Sequence, residues 1–115
     1  MKKMIIISGP KASGKTHIAM GIKMQYDENL VVNTYYDQNI KIDFKNKSLI
    51  IIDGVPKEKI LRTFNYIRKS NDTINIIITT QDEDVYQKDY RETAHVINCR
   101  NLCFYDGSKY SPANK

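Results

Sequence analysis

Met4-Ile5-Ile6-Ile7-Ser8 runs without a break into Gly9-Pro10-Lys11-Ala12-Ser13-Gly14-Lys15-Thr16, an apolar strand pattern followed by GxxxxGK[ST]. No other stretch limits the fold so tightly. A strand buried on both faces, a tight glycine turn and a helix must follow one another here. Gly9 and Gly14 free the backbone to turn so that consecutive N–H groups face inward, towards phosphate oxygens. Lys15 supplies a point charge for the β- and γ-phosphates, and the Thr16 hydroxyl can join the shell of a Mg²⁺ that keeps most of its waters. The helix that follows presents its positive end to the same anion. Gly9, Pro10, Lys11, Ala12, Ser13, Gly14, Lys15, Thr16 and His17 are therefore the candidate nucleotide-binding residues, and the expected ligand is a nucleoside triphosphate.

The chain has 115 residues, enough for one core and small for an enzyme. No uninterrupted apolar run exceeds four residues, so no membrane span is expected. Lys2 and Lys3 precede the first apolar run, but that run leads straight into the glycine loop and does not read as a signal peptide. A cytoplasmic protein is expected. Cys99 and Cys103 form a lone CxxxC with no second pair, which favours reduced, small apolar residues over a zinc site. The net charge of +5 permits nucleic-acid contact without establishing it, because Lys far outnumbers Arg, as in an AT-rich genome.

No repeat or linker divides the chain. Residues 1–105 are expected to form one domain and residues 106–115 a tail. A helix is predicted from Thr16 to about Tyr26, carrying Ile18, Ala19, Ile22 and Tyr26 on one face. Leu30–Tyr36, Ser48–Asp53 and Ile74–Thr80 read as strands. Ile60, Leu61, Phe64 and Ile67 mark a helix over Lys57–Lys69, after Pro56. Residues 82–93 suit a short helix or a loop, and Val96–Cys99, extended by Leu102–Tyr105, closes the sheet. Strands alternating with helices predict a three-layer α/β/α fold with a mainly parallel five-stranded sheet. Residues 37–47 are barely long enough for a parallel crossover, and the alternation of Ile40, Ile42 and Phe44 suggests a small extra strand or hairpin.

Leu49-Ile50-Ile51-Ile52-Asp53 ends a buried strand in an acid. Downstream of a glycine-lysine loop, that places Asp53 as the second metal group beside Thr16, the Walker B position. Gly-Pro-Lys-Ala-Ser-Gly-Lys-Thr, Ile-Ile-Ile-Asp and Ile-Ile-Ile-Thr-Thr-Gln together resemble the P-loop NTPases that insert a strand between Walker A and Walker B: the AAA+, RecA-like and viral helicase group. The resemblance implies strand order 5-1-4-3-2, with nucleotide at the carboxyl ends of strands one and three. Thr79-Thr80-Gln81 is similar to the DNA-pumping and filamentous-phage assembly ATPases, which implies that Gln81 or Thr80 senses the terminal phosphate or the attacking water.

One departure stands out. Members of that group follow the Walker B acid with a Glu that polarises water, and here Gly54 occupies the position. Asp37, at the end of the second strand, and Glu83, past the sensor, are alternative bases. Either is also an ordinary solvated carboxylate. Arg62, Arg68, Arg91 and Arg100 are the available arginine fingers. Tyr35, Tyr36, Tyr86 and Tyr90 could stack bases, although Tyr35 and Tyr36 sit where a core also wants aromatics. The expected catalytic set is Lys15, Asp53, Gln81 and Asp37, with Thr16 and Asp53 on magnesium. The resulting expectation is a minimal Mg-dependent ATPase that handles DNA as an oligomer or beside a larger partner. A catalytically weak nucleotide-binding module is the alternative, ahead of a small nucleotide kinase.

Overall fold

Three Ile-rich segments cannot face water on either side, and they form the centre of a sheet: β1 (Met4–Ser8), β3 (Leu49–Asp53) and β4 (Asn75–Thr80). The structure, a computed structural model, describes residues 2–11, 13–39 and 41–99. Ala12 of the glycine loop, Ile40, Arg100, Cys103, the Leu102–Tyr105 strand extension and the 106–115 tail lie outside the described residues. β2 (Val31–Tyr35) and β5 (Ala94–Asn98) flank the centre, giving the order β2-β3-β4-β1-β5 with every pair parallel. This is the α/β class and the 5-1-4-3-2 order that the sequence led us to expect.

Alternation along each strand divides the core in two. Met4, Ile6, Ile50, Ile52, Ile76 and Ile78 pack on one face with helix α2 (Ile60–Ser70). Ile7, Leu49, Ile51, Ile77 and Cys99 pack on the other beneath helix α1 (Lys15–Lys23). The first helix stops three residues short of its expected end. Tyr26 lies beyond it and still packs on that face, its hydroxyl accepting from Asn75 Nδ2 at 2.7 Å. The second helix opens with a 3₁₀ turn at Lys57–Lys59, and residues 82–93 hold the short 3₁₀ turn Gln87–Asp89 and a further turn closed by Thr93 N–H on Tyr90 O.

The β2–β3 connection departs most from expectation. β2 pairs directly with β3, Val31 beside Leu49 through Tyr35 beside Asp53, and no strand forms among the described residues of 36–48. Asp37 and Asp43 instead accept the backbone N–H groups of Asn39 and Lys45 in tight turns. Phe44, 2 % exposed, drops into the α2 core and meets the Tyr66 ring edge-on at 6.1 Å. Asn71 Nδ2 holds the Phe44 carbonyl at 2.7 Å. One anchored aromatic replaces the helix that a crossover of this length has no room for.

Arg68 serves the fold. It is buried, lies 5.3 Å from the Phe64 ring, and donates to the carbonyls of Lys2, Asn71 and Ile74. Burial lowers its pKa, although the guanidinium stays charged. An arginine so engaged tethers α2 to the start of β1 and is not available as a finger.

Phe44→Ala should cost about 3–5 kcal/mol, as for other buried phenylalanines, and loosen the crossover. Urea denaturation checks this, and a loss well under 1 kcal/mol would show that the crossover is not anchored through Phe44.

Candidate functional site

β1, β3 and β4 run parallel, so their carboxyl ends lie on one side of the sheet, and the glycine loop springs from the middle of that side. Gly9 N–H first bonds to Thr80 O at 3.1 Å, prolonging the β1–β4 pairing by one residue. A Cβ on Gly9 would lie 2.7 Å from Ser13 Oγ and 2.9 Å from Cys99 Cβ, so no side chain fits there. The loop then turns through Ser13 N–H to Pro10 O, at 3.2 Å. Gly14, at φ 95° and ψ 9°, caps α1 from the left-handed region, where a side chain is strained. It offers no side-chain cap, and the positive end of α1 starts at this loop.

Lys15 lies within this loop, 9 % exposed, and its ammonium donates to Gly9 O and Pro10 O, both at 2.7 Å. Burial lowers its pKa, and Cys99, Asp53 and Glu83 act in the opposite direction. Burial likewise raises the Cys99 thiol, against the pull of Lys15. Two further groups are unusual. Ser8 Oγ and Ser13 Oγ are buried and have no hydrogen-bond partner.

Asp53 ends β3 as expected, and the register sets its neighbour. Ile52 pairs with Ile78, so Thr79 comes level with Asp53. The Thr79 hydroxyl donates to Asp53 Oδ1 and accepts the Gly54 N–H at 3.0 Å. Val55 N–H then bonds to Thr79 O at 2.9 Å. Thr16, Asp53 and Thr79 line a cavity of about 170 Å³ together with Met20, Asn33 and Tyr35. Among the described residues no group of three or more His, Cys, Asp or Glu could hold a metal by itself. One hydroxyl and one carboxylate, completed by phosphate oxygens and water, are a donor set that suits Mg²⁺.

The expected residues are thus only partly brought together. Lys15, Thr16 and Asp53 converge, while Lys11 and His17 are exposed beside them. Asp37 does not join them. Its carboxylate accepts the Asn39 N–H and faces a different cavity, with Lys59 and Arg62, on the α2 side of the sheet. Gln81 is exposed one residue beyond β4, and Thr80 Oγ1 is taken by Asp82 N–H at 3.2 Å. Of the two alternative acids, Glu83 is the one whose charge reaches Lys15. Tyr35 is 76 % exposed at the cavity mouth instead of packed. Sequence reasoning missed Thr79. The signal was present in two equal runs, Ile-Ile-Ile-Asp and Ile-Ile-Ile-Thr, which parallel pairing lays side by side.

Gly9→Ala should displace Ser13 or Cys99 and weaken nucleotide binding at least about tenfold, or roughly 1.4 kcal/mol. Gly21→Ala is the control, since a methyl there meets nothing within 4 Å. Equal affinities in a fluorescent-nucleotide titration would mean that the loop does not form the site.

No curated protein sequence matches the chain. A family model does, over residues 1–99, and its description is signal recognition particle receptor beta subunit. That match overturns the resemblance to strand-inserted ATPases: the matched family is one of small P-loop GTPase-like domains. The strand order inferred through that resemblance is present, but the family it was drawn from is not this chain's. Nucleotide binding by a P-loop domain stands, and among the described residues no helix is long and apolar enough to cross a membrane. The chain belongs to the signal recognition particle receptor beta subunit family.

Proposed function

We propose that this chain is a magnesium-dependent nucleoside-triphosphate-binding module with slow turnover, working against a protein partner. The observation that carries the reading is the convergence, at one end of the sheet, of a buried Lys15, the Thr16 hydroxyl and an Asp53 fixed by Thr79. The loop N–H groups and the start of α1 receive the phosphates. Lys15 exchanges the carbonyls of Gly9 and Pro10 for β- and γ-phosphate oxygens, and the Ser13 hydroxyl gains an acceptor. Thr16 and Asp53 would hold Mg²⁺, which would supply charge neutralisation at the phosphate oxygens.

The expected ATPase in DNA handling rested on the ATPase resemblance, and the family match gives it no support. A GTPase-like family makes GTP the first nucleotide to test, with ATP beside it. The family's name is that of a receptor subunit, which favours a protein partner.

Slow turnover is expected of a GTPase-like domain without its activator. Gly54, at φ 77°, occupies the left-handed region, and its N–H is committed to Thr79. A Glu there would be strained by about 1–2 kcal/mol, so the simple repair Gly54→Glu is not expected to create a base. Of Asp37 and Glu83, Glu83 is the first to test as a base, since its charge acts on Lys15.

Phosphate release should run on the order of 10⁻³ s⁻¹ or slower, as in a GTPase without its activator. Glu83→Gln should lower even that. Turnover near 1 s⁻¹ would show that a competent base is already in place. Asp53→Ala should weaken binding in magnesium more than in EDTA, whereas Lys15→Ala should weaken both. Equal losses for Asp53→Ala in the two buffers would make that residue structural only.

A further inference from the structure

On the sheet face away from α1, a groove runs between α2 and the β2–β3 crossover. Its first cavity, about 350 Å³, is walled by the Tyr36 and Tyr66 rings and carries Lys59 and Arg62. Its second, also about 350 Å³, begins on the other side of Tyr66 and carries Lys41 and Lys45. Arg62 and Tyr66 lie four residues apart on one side of α2, with Lys59 at the end of the turn that precedes it. Tyr66 is 46 % exposed, and its ring is set by the edge-on contact with Phe44. Asp37 and Asp43 also line the groove, and each has an oxygen occupied by a backbone N–H of its own turn.

We propose that this groove binds a single strand of nucleic acid, with one nucleotide on each side of Tyr66. Three observations select that ligand. Each cavity is lined by cations together with Tyr66, and cations with an aromatic ring are the combination that takes a phosphate and a base together. The ring is shared between two cavities, so consecutive units of a polymer suit the groove better than a single nucleotide does. The chain as a whole carries net charge +5, which draws in a polyanion. Stacking on a ring takes any base, so binding is tolerant of sequence. The site is separate from the glycine loop, which lies with α1 towards the opposite face. Its failure and the failure of triphosphate binding are therefore independent.

The test is fluorescence anisotropy of the whole chain with a 3′-labelled thymidine 15-mer bearing a 5′-hydroxyl, so that no triphosphate can enter the loop. A uridine 15-mer runs in parallel. Two phosphate contacts, one per nucleotide, should make binding about sevenfold weaker between 50 and 200 mM salt. Arg62→Glu should weaken it about tenfold and Tyr66→Ala at least about fivefold, while both variants keep wild-type nucleotide affinity. Both side chains are exposed, and circular dichroism confirms the fold of each variant. Three results would overturn the proposal: no binding by the native chain, an unchanged affinity in the Arg62→Glu/Tyr66→Ala double variant, or displacement of the oligonucleotide from the groove by an acidic peptide at equal concentration.

Discussion

The parallel pairing of β4 between β1 and β3 is the constraint on which everything else depends. It is enforced by burial: Ile76, Ile77 and Ile78 contribute to both cores, so a one-residue slip would exchange every side chain between the α1 and α2 faces. The same register that satisfies the isoleucines brings Thr79 level with Asp53 and Thr80 O within reach of Gly9 N–H. Packing and chemistry are therefore set by one alignment. A change that shifted β4 would lose the carboxylate's partner and the origin of the glycine loop together.

Around that alignment the molecule is uneven. The α1 side is covered by a nine-residue helix, which leaves Tyr35 and the Asp53 cavity open. The core on the α2 side is filled by a longer helix, by Phe44 from the crossover and by Val85 and Tyr90, and the groove along α2 lies outside that core. The cavity where Thr16 and Asp53 meet opens on the other side of the sheet. The left-handed turn at Gly54 lets Val55 return to β4.

Much of this was legible in the sequence. Met4–Ser8 and the loop that follows were readable because strand, turn and helix signals there agree, and Ile-Ile-Ile-Asp located β3 and its acid. Three features were not legible, for physical reasons. The spacing in 37–47 suggested an extra strand, but those apolar residues serve a long-range core contact, and periodicity does not distinguish that from pairing. Asp37 looked like a base because it follows β2, yet the chain turns there towards α2. Gly54 read as a missing Glu, when its backbone angle is what the position requires. The family itself was misread, since the motifs quoted for it are shared across P-loop proteins.

The most direct test of the account is a calorimetric titration of the native chain with a non-hydrolysable guanosine triphosphate analogue and its adenosine counterpart, each in magnesium and in EDTA. The account predicts one site per chain, with affinity about tenfold or more higher in magnesium for at least one of the two, because Thr16 and Asp53 act only through the metal. Binding of neither analogue, or the same affinity with and without magnesium, would contradict it.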